Sequence, residues 1–178
     1  MKIFIAGPRA VTELDDNVIK RLDKIYDSSY TVIVGDADGI DSSVQRYFCD
    51  KKYKNVSVFA SKGIARNNFG NWNIENVSVG DKIKGFGFYA AKDLEMAKQA
   101  DYGFMIWNGE SKGTFNNIIN LITMNKEVLL YYMPAEKFYT IKNMEDLDEF
   151  VYQNKKLSNK LIKLIPKKTS GYVQISML

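Results

Sequence analysis

The sequence predicts an α/β protein with three layers, α/β/α, built around a mostly parallel central sheet of about five strands. Short apolar runs alternate with segments whose apolar residues recur three and four positions apart, which is the rhythm of βαβ units. The stretch 100–119 shows this most clearly. Its apolar run 102–107 leads into a glycine loop, after which Phe115, Ile118 and Ile119 begin a helical pattern.

The elements follow in order from their own residues. Apolar runs predict parallel strands at 3–6, 31–34, 56–60, 102–107 and 127–132. A first helix is predicted after Thr12 as N-cap, with Asp15 as its acidic partner. Further helices are predicted through Val44, at 89–100, from Gly113 and at 144–151, with a short edge strand at 138–141. Strands and helices that alternate in this way predict a Rossmann-like domain over 1–150, followed by a C-terminal extension over 151–178.

Residues 61–88 interrupt this rhythm, because they combine glycines and asparagines with little helical period. A loop of this length inside a compact domain is usually functional or mobile. Arg66 and several amides lie there beside Phe69 and Trp72. Two interpretations stay open at this stage: a platform that stacks a ligand, or an aromatic plug that anchors the loop.

Composition limits the possible functions. The chain has 178 residues, of which 46% are hydrophobic and 26% charged, as in an ordinary soluble domain. It shows neither a run long enough to span a membrane nor a signal peptide, and its single cysteine, Cys49, fits a reducing compartment. We therefore expect a cytoplasmic protein without membrane contact. The absence of histidine excludes Ser-His and Cys-His nucleophile pairs, and we expect no metal site and no required cofactor.

The basic character belongs to one end of the chain. The net charge of +4 combines +6 from the lysines of residues 151–178, which contain no acid, with −2 from the rest. Leucines recur at helical spacing among these lysines. We expect this extension to pack on the domain or on a partner subunit, while binding of nucleic acid is the alternative.

The candidate site lies at the carboxyl ends of the strands, where ligands bind in parallel sheets. Loops with glycine, hydroxyl and charged residues follow the first, second, third and fourth predicted strands and should converge there. The predicted ligand-binding residues are Gly7, Pro8, Arg9, Gly35, Asp36, Asp38, Gly39, Asp41, Arg66, Asn67, Asn108, Gly109, Ser111, Lys112, Gly113, Thr114 and Asn117.

The chemistry of this set is that of a nucleotide site. Its two arginines suit phosphates, and its hydroxyl and glycine residues near 111–114 offer donors at a helix N-terminus. Its three aspartates can accept hydrogen bonds from ribose hydroxyls, although helix capping is an equal alternative for Asp38. Trp72 or Trp107 could stack a base, while core packing is the expected role of Trp107. Neither a Walker A loop nor a GxGxxG fingerprint occurs.

Three motifs together resemble a known group. GlyProArg at 7–9, GlyAspAlaAspGlyIleAsp at 35–41 and GlyGluSerLysGlyThr at 109–114 resemble the SLOG superfamily, the Rossmann-like group that joins the DNA-processing protein A and Lonely Guy phosphoribohydrolase families. The chain looks most like the YspA/YpsA-like branch over residues 1–133, which suggests a bacterial or phage protein. The strings that carry this likeness are Lys92-Asp93, Met96-Ala97, Ala100-Asp101, Ile106-Trp107 and Ser111-Lys112-Gly113-Thr114.

The resemblance implies a nucleotide-type ligand and a homo-oligomer, either dimer or tetramer. The family's enzymes place a catalytic glutamate four positions after the glycine of GlyThr, where this chain has Asn117. The resemblance therefore favours a binder or sensor of an adenosine or ADP-ribose-type ligand. The alternative is an N-glycosidic hydrolase or ribosyltransferase that uses Asp36, Asp38 or Glu110 as its carboxylate. A DNA-binding protein is the second alternative.

Overall fold

The computed structural model describes residues 1–61, 63–78, 86–154 and 163–165, with the backbone alone at 86–89. These residues form seven strands and five α-helices. The strands are β1 Lys2–Ala6, β2 Thr31–Gly35, β3 Val56–Ser61, β4 Asn73–Val77, β5 Tyr102–Trp107, β6 Val128–Tyr132 and β7 Lys137–Ile141. The helices are α1 Asp16–Asp27, α2 Ile40–Asp50, α3 Phe86–Gln99, α4 Lys112–Thr123 and α5 Met144–Gln153.

The strand order is β4-β3-β2-β1-β5-β6-β7, and only β7 is antiparallel to its neighbour. The chain proceeds outward from β1 to β4 and then returns to place β5 beside β1. Strand order therefore reverses between β1 and β5. A crevice opens at such a point beyond the carboxyl ends of the two strands.

Both faces of the sheet are buried, which accounts for the continuous apolar strands. On one face, Ile5 and Val34 pack with Val18 and Val44 of α1 and α2. On the other face, Phe4 lies in the cluster formed with α3, α4 and α5. The predicted Rossmann-like three-layer fold is thereby confirmed.

The number of strands was underestimated. β4 lies within the 61–88 segment that was predicted to be a loop, and α3 begins at Phe86 rather than at residue 89. β4 is an edge strand of sequence AsnIleGluAsnVal, whose Ile74 is 37% exposed, so it lacks the apolar run that marks a buried strand. Residue 62 and residues 79–85 of this segment lie outside the described part of the chain.

Trp72 is the aromatic plug of this segment. Its side chain is 8% exposed, and its Nε1 donates a hydrogen bond to the carbonyl of Tyr53 at 2.7 Å. Asn68 accepts from the Trp72 N–H at 3.0 Å and donates to its carbonyl at 2.9 Å. The ring therefore fixes the segment to the core and is not available to stack a ligand.

The start of α1 also differs from the prediction. Asp15 is the N-cap and accepts from the N–H of Asn17 at 2.7 Å, so Thr12 does not cap the helix. The carbonyl of Thr12 instead accepts a hydrogen bond from the Ser43 hydroxyl, which ties the approach to α1 onto α2.

Little of the predicted extension is described. α5 runs across the expected boundary between residues 150 and 151, and Ile165 packs against the core on the α5 side of the sheet. The other residues of 155–178 lie outside the described part of the chain, so the packing of the extension stays a prediction. No described helix is both long and apolar enough to cross a membrane.

Candidate functional site

A cleft of about 480 Å³ lies at the switch point, beyond the carboxyl ends of β1 and β5. We call it the carboxyl-end cleft. It brings together residues that are far apart in sequence and come from four segments: the turn after β1, the β2–α2 junction (residues 35–41), the middle of α3, and the β5–α4 junction (residues 108–114) with the first turns of α4. Its polar lining consists of Arg9, Asp41, Lys92, Asp93, Asn108, Glu110, Ser111, Lys112, Thr114 and Asn117.

The β5–α4 junction forms a hydrogen-bonded turn at the N-terminus of α4. Asn108 Oδ1 accepts from the N–H of Glu110 at 3.1 Å and of Ser111 at 3.0 Å, which holds the turn closed. Ser111 is the N-cap of α4, and its Oγ accepts from the N–H of Thr114 at 3.3 Å. The N–H groups of Lys112 and Gly113 have no acceptor among the described residues. They are therefore available to an anion at the positive end of the helix.

Gly113 leaves the turn open. A Cβ at this position would meet nothing within 4 Å beyond its chain neighbours and the backbone of its own helix, so the glycine faces open space at the cleft. Trp107, behind the turn, is fully buried, stacks on Phe115 with ring centroids 5.1 Å apart, and donates from Nε1 to the carbonyl of Ser111 at 2.9 Å. Trp107 therefore has the expected core role and fixes the turn from below.

Asn117 lines this site and carries a buried group without a hydrogen-bond partner. The residue is 3% exposed, and its Oδ1 has no hydrogen-bond partner among the described residues. A buried amide oxygen without a partner is destabilising unless a ligand or water satisfies it. Asn117 also lies near Asp93, the half-buried carboxylate on α3 that lines the same cleft, and favours the charged form of that carboxylate.

A buried charge network supports the cleft wall. Lys92 is 3% exposed, and its Nζ donates to Asp36 Oδ1 at 2.7 Å. Arg66 contacts the same carboxylate through Nε at 3.1 Å and Nη2 at 2.8 Å. Asp41 lies close to the same lysine, because a Cβ on Gly35 would be 2.3 Å from Asp41 Oδ2 and 3.0 Å from Lys92 Nζ. Gly35 is therefore required by this close approach.

The pKa values of the three aspartates diverge. Burial alone would raise the pKa of Asp36, but the hydrogen bonds and charges of Arg66 and Lys92 outweigh it and lower that pKa well below its usual range. Burial raises the pKa of Asp41 to about 7, against the opposing charge of Lys92. Burial also raises the pKa of Asp93, although Lys92 and Asn117 favour its charged form. The cleft thus contains two carboxyl groups that retain protons more readily than free aspartate does.

The structure divides the predicted site residues into two groups. Those that line the cleft are Gly7, Pro8, Arg9, Asp41, Asn108, Ser111, Lys112, Gly113, Thr114 and Asn117, together with the catalytic candidate Glu110. Those that do not line it are Gly35, Asp36, Asp38, Gly39, Arg66, Asn67 and Gly109.

Partners within the protein explain the second group. Asp36 and Arg66 bind each other, and Asn67 Nδ2 donates to Asp38 Oδ1 at 3.1 Å. Asp38 does not cap α2 either, because the N-cap is Gly39, with a φ of +80°. A Cβ on Gly39 would lie 2.4 Å from the carbonyl oxygen of Arg9, so this glycine positions the first loop and does not contact the cleft.

The sequence prediction missed the roles of Lys92 and Asp93, which it used only as strings of the family resemblance. A detectable signal existed, because Lys92 and Met96 are four residues apart and share the buried face of α3. A lysine on an apolar helix face must have a buried anionic partner.

Among the described residues, no cluster of three or more carboxylate or thiolate side chains could hold a metal ion.

The fold resembles that of a solved protein. DNA processing protein A from Helicobacter pylori superposes with a TM-score of 0.60 at 13% sequence identity, over 93% of this chain and 78% of that protein. That protein binds single-stranded DNA. No family model and no curated protein matches the chain. At this level of identity the likeness shows a Rossmann-like fold related to that of DNA processing protein A.

Proposed function

We propose that the chain binds a nucleotide-type ligand, of the adenosine or ADP-ribose class, in the carboxyl-end cleft. One observation carries this proposal: the open first turn of α4 and the side chain of Asn117, whose buried Oδ1 has no hydrogen-bond partner among the described residues, line the same cleft. The first feature suits an anion, and the second requires a hydrogen-bond donor. A phosphorylated nucleoside supplies both an anion and hydroxyl donors.

The phosphate is assigned to the β5–α4 junction. The N–H groups of Lys112 and Gly113 supply backbone donors, and the open space at Gly113 lets an anion approach the backbone. Arg9 extends from the turn after β1 and is close enough to Asp93 to influence its pKa, so a cation also flanks the cleft. Arginine can bind phosphate oxygens with two parallel hydrogen bonds.

The sugar is assigned to the wall formed by α3 and α4. Ribose hydroxyls can donate to the carboxylate of Asp93 and, once the Asn117 amide turns toward the cleft, to its buried Oδ1. A ligand hydroxyl there would remove the penalty of the buried, unsatisfied oxygen, which is about 1–3 kcal/mol. We further infer that the chain is a SLOG-type sensor and forms homo-oligomers, which the motif order at 7–9, 35–41 and 109–114 supports.

The test is a thermal-shift measurement of the full chain with AMP, ADP, NAD, ADP-ribose and cyclic ADP-ribose. A ligand present at a hundred times its Kd stabilises by about 2.7 kcal/mol, which a melting curve resolves. Arg9→Ala and Thr114→Val should abolish or strongly reduce the shift. Lys54→Ala, which removes an exposed cation outside the cleft, should retain it. If no nucleotide shifts the melting temperature, or if Arg9→Ala and Lys54→Ala behave alike, the proposed site is wrong.

N-glycosidic cleavage is a second candidate, because two carboxyl groups with raised pKa values line the cleft. A protonated carboxyl can act as a general acid toward a leaving base, and a charged one can stabilise the developing ribosyl cation. Asp36 and Asp38, the earlier candidates, are bound to other residues, and only Glu110 of that set lines the cleft. Chromatography of the thermal-shift samples decides between the two functions: released base supports cleavage, and intact ligand supports binding alone.

Nucleic acid is a third class of partner. The DNA processing protein A neighbour binds single-stranded DNA, and residues 151–178 carry six lysines. The identity of 13% does not transfer that function, and most of the extension lies outside the described residues. An argument for binding of nucleic acid must therefore rest on the surface of the described residues.

A further inference from the structure

A second concave surface lies beside α1 and begins at the amino ends of the strands, opposite the carboxyl-end cleft. A cavity of about 490 Å³ opens at the amino ends of β1 and β5, and one of about 360 Å³ lies between α1 and strands β6 and β7. The two cavities share the lining residues Arg21 and Lys24 and are therefore adjacent, and we call them together the α1 groove. It shares no lining residue with the carboxyl-end cleft.

The helical wall of the α1 groove is cationic. Lys20, Arg21 and Lys24 all line it and lie on neighbouring positions of α1. None of the three forms an ion pair with a described residue. The helix's central acid, Asp23, is engaged elsewhere, because it pairs with Lys51 at 2.8 Å, and only Asp27 adds a negative charge to the lining.

The floor of the α1 groove is aromatic and apolar. Tyr30, Tyr102 and Phe104 line the first cavity, and Phe138 lines the second beside Leu129. Phe138 is 40% exposed, and its ring centroid is 6.4 Å from that of Phe104. Aromatic side chains and cations therefore line the same groove, and among these rings Phe138 is exposed while Phe104 is buried.

We propose that the α1 groove binds single-stranded nucleic acid, with phosphates along Lys20, Arg21 and Lys24 and bases against Phe138 and Tyr102. Surfaces that bind single strands combine a cationic track with aromatic rings, because every base has a face that stacks. The cations stand out locally, since residues 1–150 carry a net charge of −2. A twofold contact centred on these cations would place them against each other, which argues against self-association of that kind.

Fluorescence anisotropy of the full chain with a labelled oligothymidylate of about 12 nucleotides tests this, a length within the usual site size. The double variant Lys20→Gln/Lys24→Gln should weaken binding roughly 25-fold at about 0.1 M salt and reduce the salt slope by about 1.4, at 0.7 counterions per contact. The matched variant Lys54→Gln/Lys98→Gln removes the same charge from other surfaces and should change affinity by no more than about twofold.

Phe138→Leu separates base stacking from charge. It should weaken binding of the oligothymidylate at least about fivefold, since stacking contributes about 1–3 kcal/mol per base. Binding of an abasic strand of equal length should not change. A matched oligouridylate distinguishes RNA from DNA as the natural strand. Circular-dichroism melting of each variant verifies that the chain remains folded.

Several results would overturn the proposal. Equal loss in the two double variants would assign binding to general charge or to the lysine-rich extension. Equal affinity for abasic strand or polyglutamate would show a polyanion surface without base recognition. A change in sedimentation of Lys20→Gln/Lys24→Gln without weaker strand binding would identify a subunit interface. Loss of strand binding in Arg9→Ala would place the strand in the carboxyl-end cleft, whereas normal strand binding in that variant keeps the two sites separate.

Discussion

The β2–α2 junction (residues 35–41) and the β5–α4 junction look alike in sequence but are used differently. Each follows a buried strand, contains glycine and polar residues, and opens a helix. In the first junction, Asp36 is bound by Arg66 and Lys92, so its charge is neutralised inside the protein. In the second, Asn108 and Ser111 satisfy only part of the turn.

The two junctions differ because other segments of the chain supply partners to the first junction and not to the second. The 63–72 segment supplies Arg66 and Asn67 to the β2–α2 junction, and α3 supplies Lys92. No described side chain supplies a comparable partner to the first turn of α4. Residue types near a strand end therefore indicate where polar groups collect, and only the tertiary partners determine whether a ligand can use them.

The largest expected effect comes from breaking the β2–α2 junction with Asp36→Asn. Lys92 would keep its charge at 3% exposure without its closest carboxylate, and Arg66 would lose its anchor. Removal of one partner of a buried ion pair costs about 3–5 kcal/mol. Urea unfolding should therefore show a clearly lower midpoint at an unchanged m-value.

Asp38→Asn is the control for this comparison, because it removes a carboxylate from the same junction. Asp38 is exposed, and its carboxylate accepts a hydrogen bond from Asn67 Nδ2. Its substitution should alter the free energy of unfolding by about 0.5 kcal/mol or less. Similar losses in the two variants would contradict the special role of the Asp36 pairs.

The second effect is a pH dependence of the free energy of unfolding, to which Asp41 and Asp36 contribute with opposite signs. The pKa of Asp41 is about 7 in the folded protein and near 3.8 when the chain unfolds. The folded state therefore binds the proton more tightly, so stability present below about pH 4 is lost as pH rises toward about 7, by a few kcal/mol at most. Asp36, whose pKa is lowered, has the opposite sign and loses its contribution as pH falls below 3.8.

Asp41→Asn should flatten the decline between about pH 4 and about pH 7, as followed by urea unfolding at several pH values. Asp93 also has a raised pKa and should leave a residual slope, which Asp93→Asn would reduce. A decline that is as steep in Asp41→Asn as in the wild type would show that Asp41 ionises normally in the folded chain.

The buried frame of the molecule could be predicted from sequence, because its signals are local. The apolar runs at β1, β2, β3, β5 and β6 identify strands, and β5 matches the predicted 102–107 run. β4 could not be found in this way, since an edge strand exposes one side and AsnIleGluAsnVal has no apolar run. The site could likewise be predicted only where its signals are local. Ser111 caps α4 within its own segment and could be found from sequence, whereas Asp36, the partner of Lys92, lies 56 positions away and could not.

The smallest expected effect on stability is that of Gly113→Ala in the β5–α4 junction. Its counterpart in the β2–α2 junction is Gly35→Ala, so the same single methyl group is added to each junction. Gly113→Ala meets no described atom and replaces glycine within a helix, so stability should stay equal or rise by up to about 1 kcal/mol. Gly35→Ala places a Cβ 2.3 Å from Asp41 Oδ2 and should destabilise by about 1–3 kcal/mol.

Ligand binding should respond to Gly113→Ala although stability does not fall. The new methyl group would occupy the space through which a phosphate approaches the N–H groups of Lys112 and Gly113. The thermal shift given by the best nucleotide should then shrink relative to wild type, while the melting temperature without ligand is maintained. An undiminished shift would mean that the ligand does not approach the first turn of α4. In that case the open junction, like the closed one, would serve only the fold.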